Sequence, residues 1–176
     1  MLEITIPKQE YFDESCGEFV YIPEQHLTLE HSLVSLSKWE SKWHKPFIQE
    51  ESKTIEESLD YIRCMTINKN VNPLAYRGIT PALFKQINDY IDAPMTATWF
   101  SKEQSKGSKS EVITSELIYY WMIALQIPVE FEKWHLNRLI TLIKVCNIKN
   151  APPKKMSRHE IMERNRRLNA ARKKKP

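Results

Sequence analysis

Residues 36–47 read LSKWESKWHKPF, two tryptophans four apart, each preceded by a lysine, with a His-Lys-Pro stop after the second. Carried back to Leu29, the pattern is helical. Leu29, Leu33, Leu36 and Trp43 share one side of a helical wheel, Trp39 widens that stripe at its edge, and Lys38, Ser41 and Lys42 fall outside it. Pro46 ends the helix, because the residue before a proline is driven out of the α region. An aromatic stripe at this spacing packs a helix onto a domain, so both tryptophans are expected in the core. Trp39, at the stripe's edge, is the better placed of the two to reach a partner.

Working outward, the segment before this helix has period two. LEITI and EFVYI flank the turn chemistry of ESCGE, which predicts a small antiparallel hairpin, and HLTLE either adds a third strand or leads into the helix. After it, TIEESLDYIRCM carries a capping box at Thr54 and Glu57 and an apolar stripe of Ile55, Leu59, Ile62 and Met65. TPALFKQINDYI starts a third helix, with Thr80 as N-cap, Pro81 at the first helical position, and Leu83, Phe84, Ile87 and Ile91 as its buried side. MTATWF and EVIT flank the polar stretch SKEQSKGSKS, predicting a second short hairpin near 97–114 around a disordered loop.

Ser115 opens a helix that is apolar nearly all round from Leu117 to Leu125, the pattern of a central, surrounded helix. VEFEKWHLNRLITLIKVCN reads as one last long helix whose face is Phe131, Trp134, Leu139, Leu142, Val145 and Cys146. The expected fold is mainly α (α+β): a compact bundle of about five helices with a small N-terminal antiparallel hairpin and the second hairpin near 97–114. Two regions follow, a globular domain over 1–150 and a basic, mobile helix or tail over 151–176, where SRHEIMERNRRLNAARKKKP offers few apolar residues to bury.

Composition agrees. A chain of 176 residues, 41% hydrophobic and 27% charged, has the makeup of one ordinary globular domain. Its three cysteines, Cys16, Cys64 and Cys146, have no paired spacing, so reduced intracellular thiols are expected. The N-terminus MLEITIPKQEYF has no signal-peptide core, and the most apolar window, LIYYWMIALQI, is shorter than the ~20 residues of a membrane span. Residues 151–176 hold ten Lys or Arg against Glu160 and Glu163, a net +8, while residues 1–150 hold 16 basic and 20 acidic side chains, a net −4.

Catalysis has little to stand on. Gly17, Gly78 and Gly107 are isolated, so neither phosphate-cradling motif can be built. His26 and His31 have the spacing of half a zinc finger, but no cysteine pair completes it. No catalytic, cofactor-binding or metal-ligating residues are assigned, and the expectation is a protein that is not an enzyme and needs no cofactor. His135 and Arg138 point into the apolar sector of the last helix, where an unpaired charge is costly. They are expected either to pair with acids such as Glu116 or Asp89 or to form a polar seam facing another subunit. With Trp39 and Trp43, they head a set of candidate partner-binding residues. The others are the tail cations Lys154, Lys155, Arg158, Arg164, Arg166, Arg167, Arg172, Lys173, Lys174 and Lys175. These cations suit a solubilising terminus, a protein partner or a phosphate backbone, although the tail has no interleaved aromatics on which bases could stack.

Taken together, LEHSLVSLSKWESKW, DYIRCMT, INDYIDAPMTATWF, ITSELIYYWMIALQIPVEF, WHLNRLITLIKVCN and PPKKMS resemble a family of small proteins from tailed bacteriophages, similar to tail assembly chaperones. The resemblance covers residues 1–172. It implies a protein of the host cytoplasm during phage assembly that binds the tape measure protein, the tail tube protein or both, with homo-oligomers among the assemblies it allows. It also implies docking of helices through apolar faces and, in the lysine run of RKKKP, a candidate frameshift site. A structural virion component and a nucleic-acid binder acting through the tail are the alternatives; membrane association is not expected.

Overall fold

The computed structural model describes residues 1–13, 17–50, 52–100, 112–152 and 158–173. The chain begins with four strands, β1 (Leu2–Ile6), β2 (Gln9–Asp13), β3 (Glu18–Ile22) and β4 (Gln25–Leu29). β1 pairs with β4 and β2 with β3, both antiparallel, and a single register runs through them: Leu2 faces Leu29, Ile6 faces Gln25, Gln9 faces Ile22 and Asp13 faces Glu18. The four strands thus form one long ribbon, interrupted where Pro7 and Pro23, which lack N–H donors, would have to join the ladder.

This corrects the expected pairing of LEITI with EFVYI. The partner of LEITI is QHLTL, whose alternation matches it, and the partner of EFVYI is QEYFD, a strand that Glu10 and Asp13 obscure in the sequence. The inner half of the ribbon buries Ile4, Ile6, Leu27 and Leu29 on one face. A two-stranded ribbon is marginal alone, and this burial against helices holds its inner half.

Ser32 then caps α1 (Leu33–Trp43) through a reciprocal pair with Ser35, and His44 ends the helix in the left-handed conformation two residues before Pro46. Thr54 and Glu57 form the expected capping box of α2 (Ile55–Met65). A 3-10 turn at Pro73–Gly78 leads into α3 (Pro81–Asp92), capped by Thr80 with Pro81 at its first position, as expected. Thr114 caps α4 (Ser115–Ala124). A second 3-10 turn, Val129–Lys133, precedes α5 (Leu136–Asn150), and α6 spans Arg158–Lys173.

The chain is mainly helical, an α+β fold. Its first compact unit, Met1–Cys146, gathers the ribbon and α1 to α4 with most of α5; the second is Asn147–Pro176. The core of the first unit is aliphatic toward the ribbon and aromatic beneath α1. There Phe47 stacks on Tyr61 with ring centroids 3.8 Å apart and meets Trp39 edge-on at 5.1 Å.

Three expectations change in detail. The last long helix starts later, because residues 129–133 form the 3-10 turn that carries Phe131, and Leu136, Leu139 and Ile143 are the fully buried residues of α5. The second hairpin near 97–114 falls largely on residues 101–111, outside the described residues, as does the loop expected to be disordered; the described flanks 98–100 and 112–114 carry no strand. Finally, α4 is not enclosed.

Candidate functional site

The Thr114 cap and the buried Ser115 place α4 with Ile118 and Met122 inward. A helix turns 100° per residue, so Glu116, Tyr120 and Ile123, at i, i+4 and i+7, form a row on the opposite side. Tyr120 is 63% exposed and Ile123 77%, and Val129 in the following 3-10 turn is 59% exposed. Beside this row Tyr119 donates its hydroxyl to Glu132 Oε2 at 2.8 Å; burial and then that carboxylate push the phenol up to about 12, so it stays a neutral donor. The result is an apolar helix row with Glu116 at its head and Glu130 near its foot, both exposed. Exposed apolar side chains set side by side on one helix face are candidates for contact with another macromolecule. The sequence reading missed Tyr120 and Ile123 because a helix apolar all round reads as enclosed. The available signal was the acid at the head of their row.

Of the residues singled out beforehand, Trp39 is the clearest correction. It is completely buried and donates its indole N–H to the carbonyl of Glu57 at 2.9 Å. The buried arc of α1 is widened by Ser35 and Glu40, polar residues that an apolar stripe does not count, so the stripe's edge is not the edge of the buried face. Trp43, on the helix's last turn, is half-buried and donates to Asp60 Oδ2 at 2.9 Å; Lys42 pairs with the same carboxylate.

His135 and Arg138 also part company. Arg138 is exposed, its guanidinium 4.1 Å over the Trp134 ring, with neither Glu116 nor Asp89 as partner. His135 is buried just before α5. Its Nδ1 accepts from the Asn137 backbone at 3.3 Å, so Nε2 carries the proton and donates to the Tyr90 carbonyl at 3.0 Å. Its ring centroid lies 5.1 Å from that of His31, whose Nδ1 bonds the Tyr61 hydroxyl and whose carbonyl accepts from Leu136 at 2.7 Å. His31 and His135 together tie α2, α3 and α5 to the end of the ribbon.

Burial, and then the neighbouring His135, lower His31 to about 3; burial likewise lowers His135, against the pull of the Tyr90 carbonyl. Both rings are neutral in the fold, whereas in the unfolded chain they protonate near 6.5. Their contribution is whole above that value and is lost as pH falls toward 3. From His31 alone, stability drops by about 2 kcal/mol between pH 7 and pH 5. Urea unfolding at the two pH values measures it; an unchanged midpoint would contradict the assignment, and His31→Gln should flatten the dependence.

Among the described residues no cluster of three or more His, Cys, Asp or Glu could hold a metal. Burial raises the half-buried Cys64 thiol, which keeps it protonated and a poor nucleophile.

The second unit presents α6. Arg158, Arg164, Arg166 and Arg167 are exposed on it, Arg167 bonding Glu163 at 3.2 Å, and Ile161 and Met162 are exposed as well. Arg172 and Lys173 lie on the same helix, while Lys154, Lys155, Lys174 and Lys175 lie outside the described residues. No helix among the described residues is long and apolar enough to cross a membrane. With these surfaces in view, the chain matches no protein-family model, no curated protein and no solved structure at a significant level.

Proposed function

We propose that this chain is a tail assembly chaperone of a tailed bacteriophage, holding the tape measure protein, the tail tube protein or both in the host cytoplasm until the tail is built. It acts by binding and not by chemistry. The observation that carries the reading is the uncovered row of α4, with Tyr120 and Ile123 set on a helix anchored from its other side. Such a row is the complement of an amphipathic helix, which docks by anchors at i, i+3, i+4 and i+7. The resemblance of the quoted stretches to phage tail proteins supplies the identity of the client.

Co-expression tests it. The tape measure or tube protein should be soluble with this chain and insoluble without it. The double substitution Tyr120→Ser, Ile123→Ser should abolish the rescue while leaving the chain folded, since both side chains are mostly in solvent. Failure of the native chain to keep either client soluble would end the reading. If instead mass spectrometry finds the chain in purified particles, it is a structural component of the virion.

A further inference from the structure

Between the α1–α2 loop, α2, α3 and α5 lies a cleft of about 390 Å³, inside the range of small-ligand sites. Its floor is Tyr61, Ile62, Ile87 and Leu136, all buried, with Phe84 and Ile140 as walls. Its polar side chains are Lys53, Ser58, Asn88, Asp92 and Asn137, with the buried His31 beneath them; Asn88 and Asp92 are exposed.

Lys53 differs from the others. It is half-buried, its Nζ lies 4.3 Å over the Phe47 ring, and its hydrogen bond goes to the Glu50 carbonyl. Among the described residues it forms no ion pair. The Glu50 and Glu57 carboxylates act on it without pairing, and Glu57 is already matched by Lys45 at 2.6 Å. The cation is held at an apolar mouth with N–H donors to spare, and burial lowers its proton affinity against the pull of the Glu50 and Glu57 carboxylates.

We infer that the cleft binds a monoanionic amphiphile, an apolar chain or ring ending in a carboxylate, with the apolar part on the Ile62–Ile87–Leu136 floor and the carboxylate on Lys53. Asp92 does not reverse the preference, because its exposed charge is screened by water whereas that of Lys53 is partly withdrawn from it. The site is separate from the α4 row and does not depend on the chaperone reading.

The probe is sodium decanoate, titrated into the full ¹⁵N-labelled chain beside 1-decanol and decyltrimethylammonium. Decanoate should saturate below about 1 mM, with shifts centred on Ile62, Ile87 and Leu136. Lys53→Gln should weaken decanoate about tenfold and change decanol less than twofold, and Lys53→Arg should restore it. The inference is overturned if decanoate does not saturate by about 2 mM, if the cationic amphiphile binds as tightly, or if Lys53→Gln binds decanoate unchanged. A capped peptide ending in a free leucine carboxylate that binds tenfold tighter than decanoate would also overturn it, assigning the cleft to a protein C-terminus.

Discussion

Replacing Trp39 by alanine lowers the stability of the fold by about 3–5 kcal/mol, the range for removing a buried aromatic ring from a core that cannot collapse around the void. The ring is wholly enclosed, lies 6.2 Å from Trp43 and 5.1 Å from Phe47 between centroids, and donates the indole N–H that pins α1 to the Glu57 carbonyl on α2. Trp39→Phe keeps most of the packing and loses the hydrogen bond, so about 1 kcal/mol of the loss belongs to that N–H. Trp43→Ala, half in solvent, costs about 1–2 kcal/mol. Guanidinium midpoints for the three variants give the order directly. If Trp43→Ala proves the more damaging, the core is centred on the wrong tryptophan. With a total stability of about 5–15 kcal/mol for domains generally, Trp39→Ala brings the chain close to unfolding at physiological temperature.

What could be read beforehand about this core depended on whether a pattern was local. Caps are local: Thr54 with Glu57, and Thr80 ahead of Pro81, were visible because their partners lie within one turn. Ribbon pairing is not. β1 passes over β2 and β3 to reach β4, and what joins the four strands is a constant register bridging two prolines, which no single window displays. The position of Trp39 failed for a related reason. Buried polar groups such as Ser35 and Glu40 widen the enclosed face of α1, and the donors that satisfy Glu40, Phe47 and Ser115, lie outside the helix.

The candidate surfaces divide the same way. The basic character of α6 is a matter of composition and was legible. The exposure of α4 was not, because hydrophobicity all round a helix says that it avoids water and leaves open what covers it. Ten residues turned inward through Ile118 and Met122 leave Tyr120 and Ile123 to be covered by something other than the described residues of this chain. An apolar helix face left open is therefore the one that sequence patterning misassigns to the core.

Glu40 decides whether that surface is held in place. It is a buried carboxylate near the end of α1, and its two oxygens accept backbone N–H groups from separate segments, Phe47 at 3.0 Å and Ser115 at 2.7 Å. Ser115 is the first residue of α4, so the carboxylate sits at that helix's N-terminus, where unpaired N–H groups and the helix dipole favour negative charge. Glu40→Ala leaves both donors buried without acceptors, at about 1–3 kcal/mol each, whereas Glu40→Gln keeps one acceptor and should lose about half as much. The damage should also be local. In hydrogen exchange, the amides of α4 should lose protection in Glu40→Ala well beyond those of α2, because α2 keeps its Trp39 tie and its capping box. Equal loss across both helices would mean that the carboxylate supports the core at large and has no particular hold on α4. Loss confined to α4 would mean that one buried acid, 75 residues away in sequence, holds in place the helix that carries Tyr120 and Ile123.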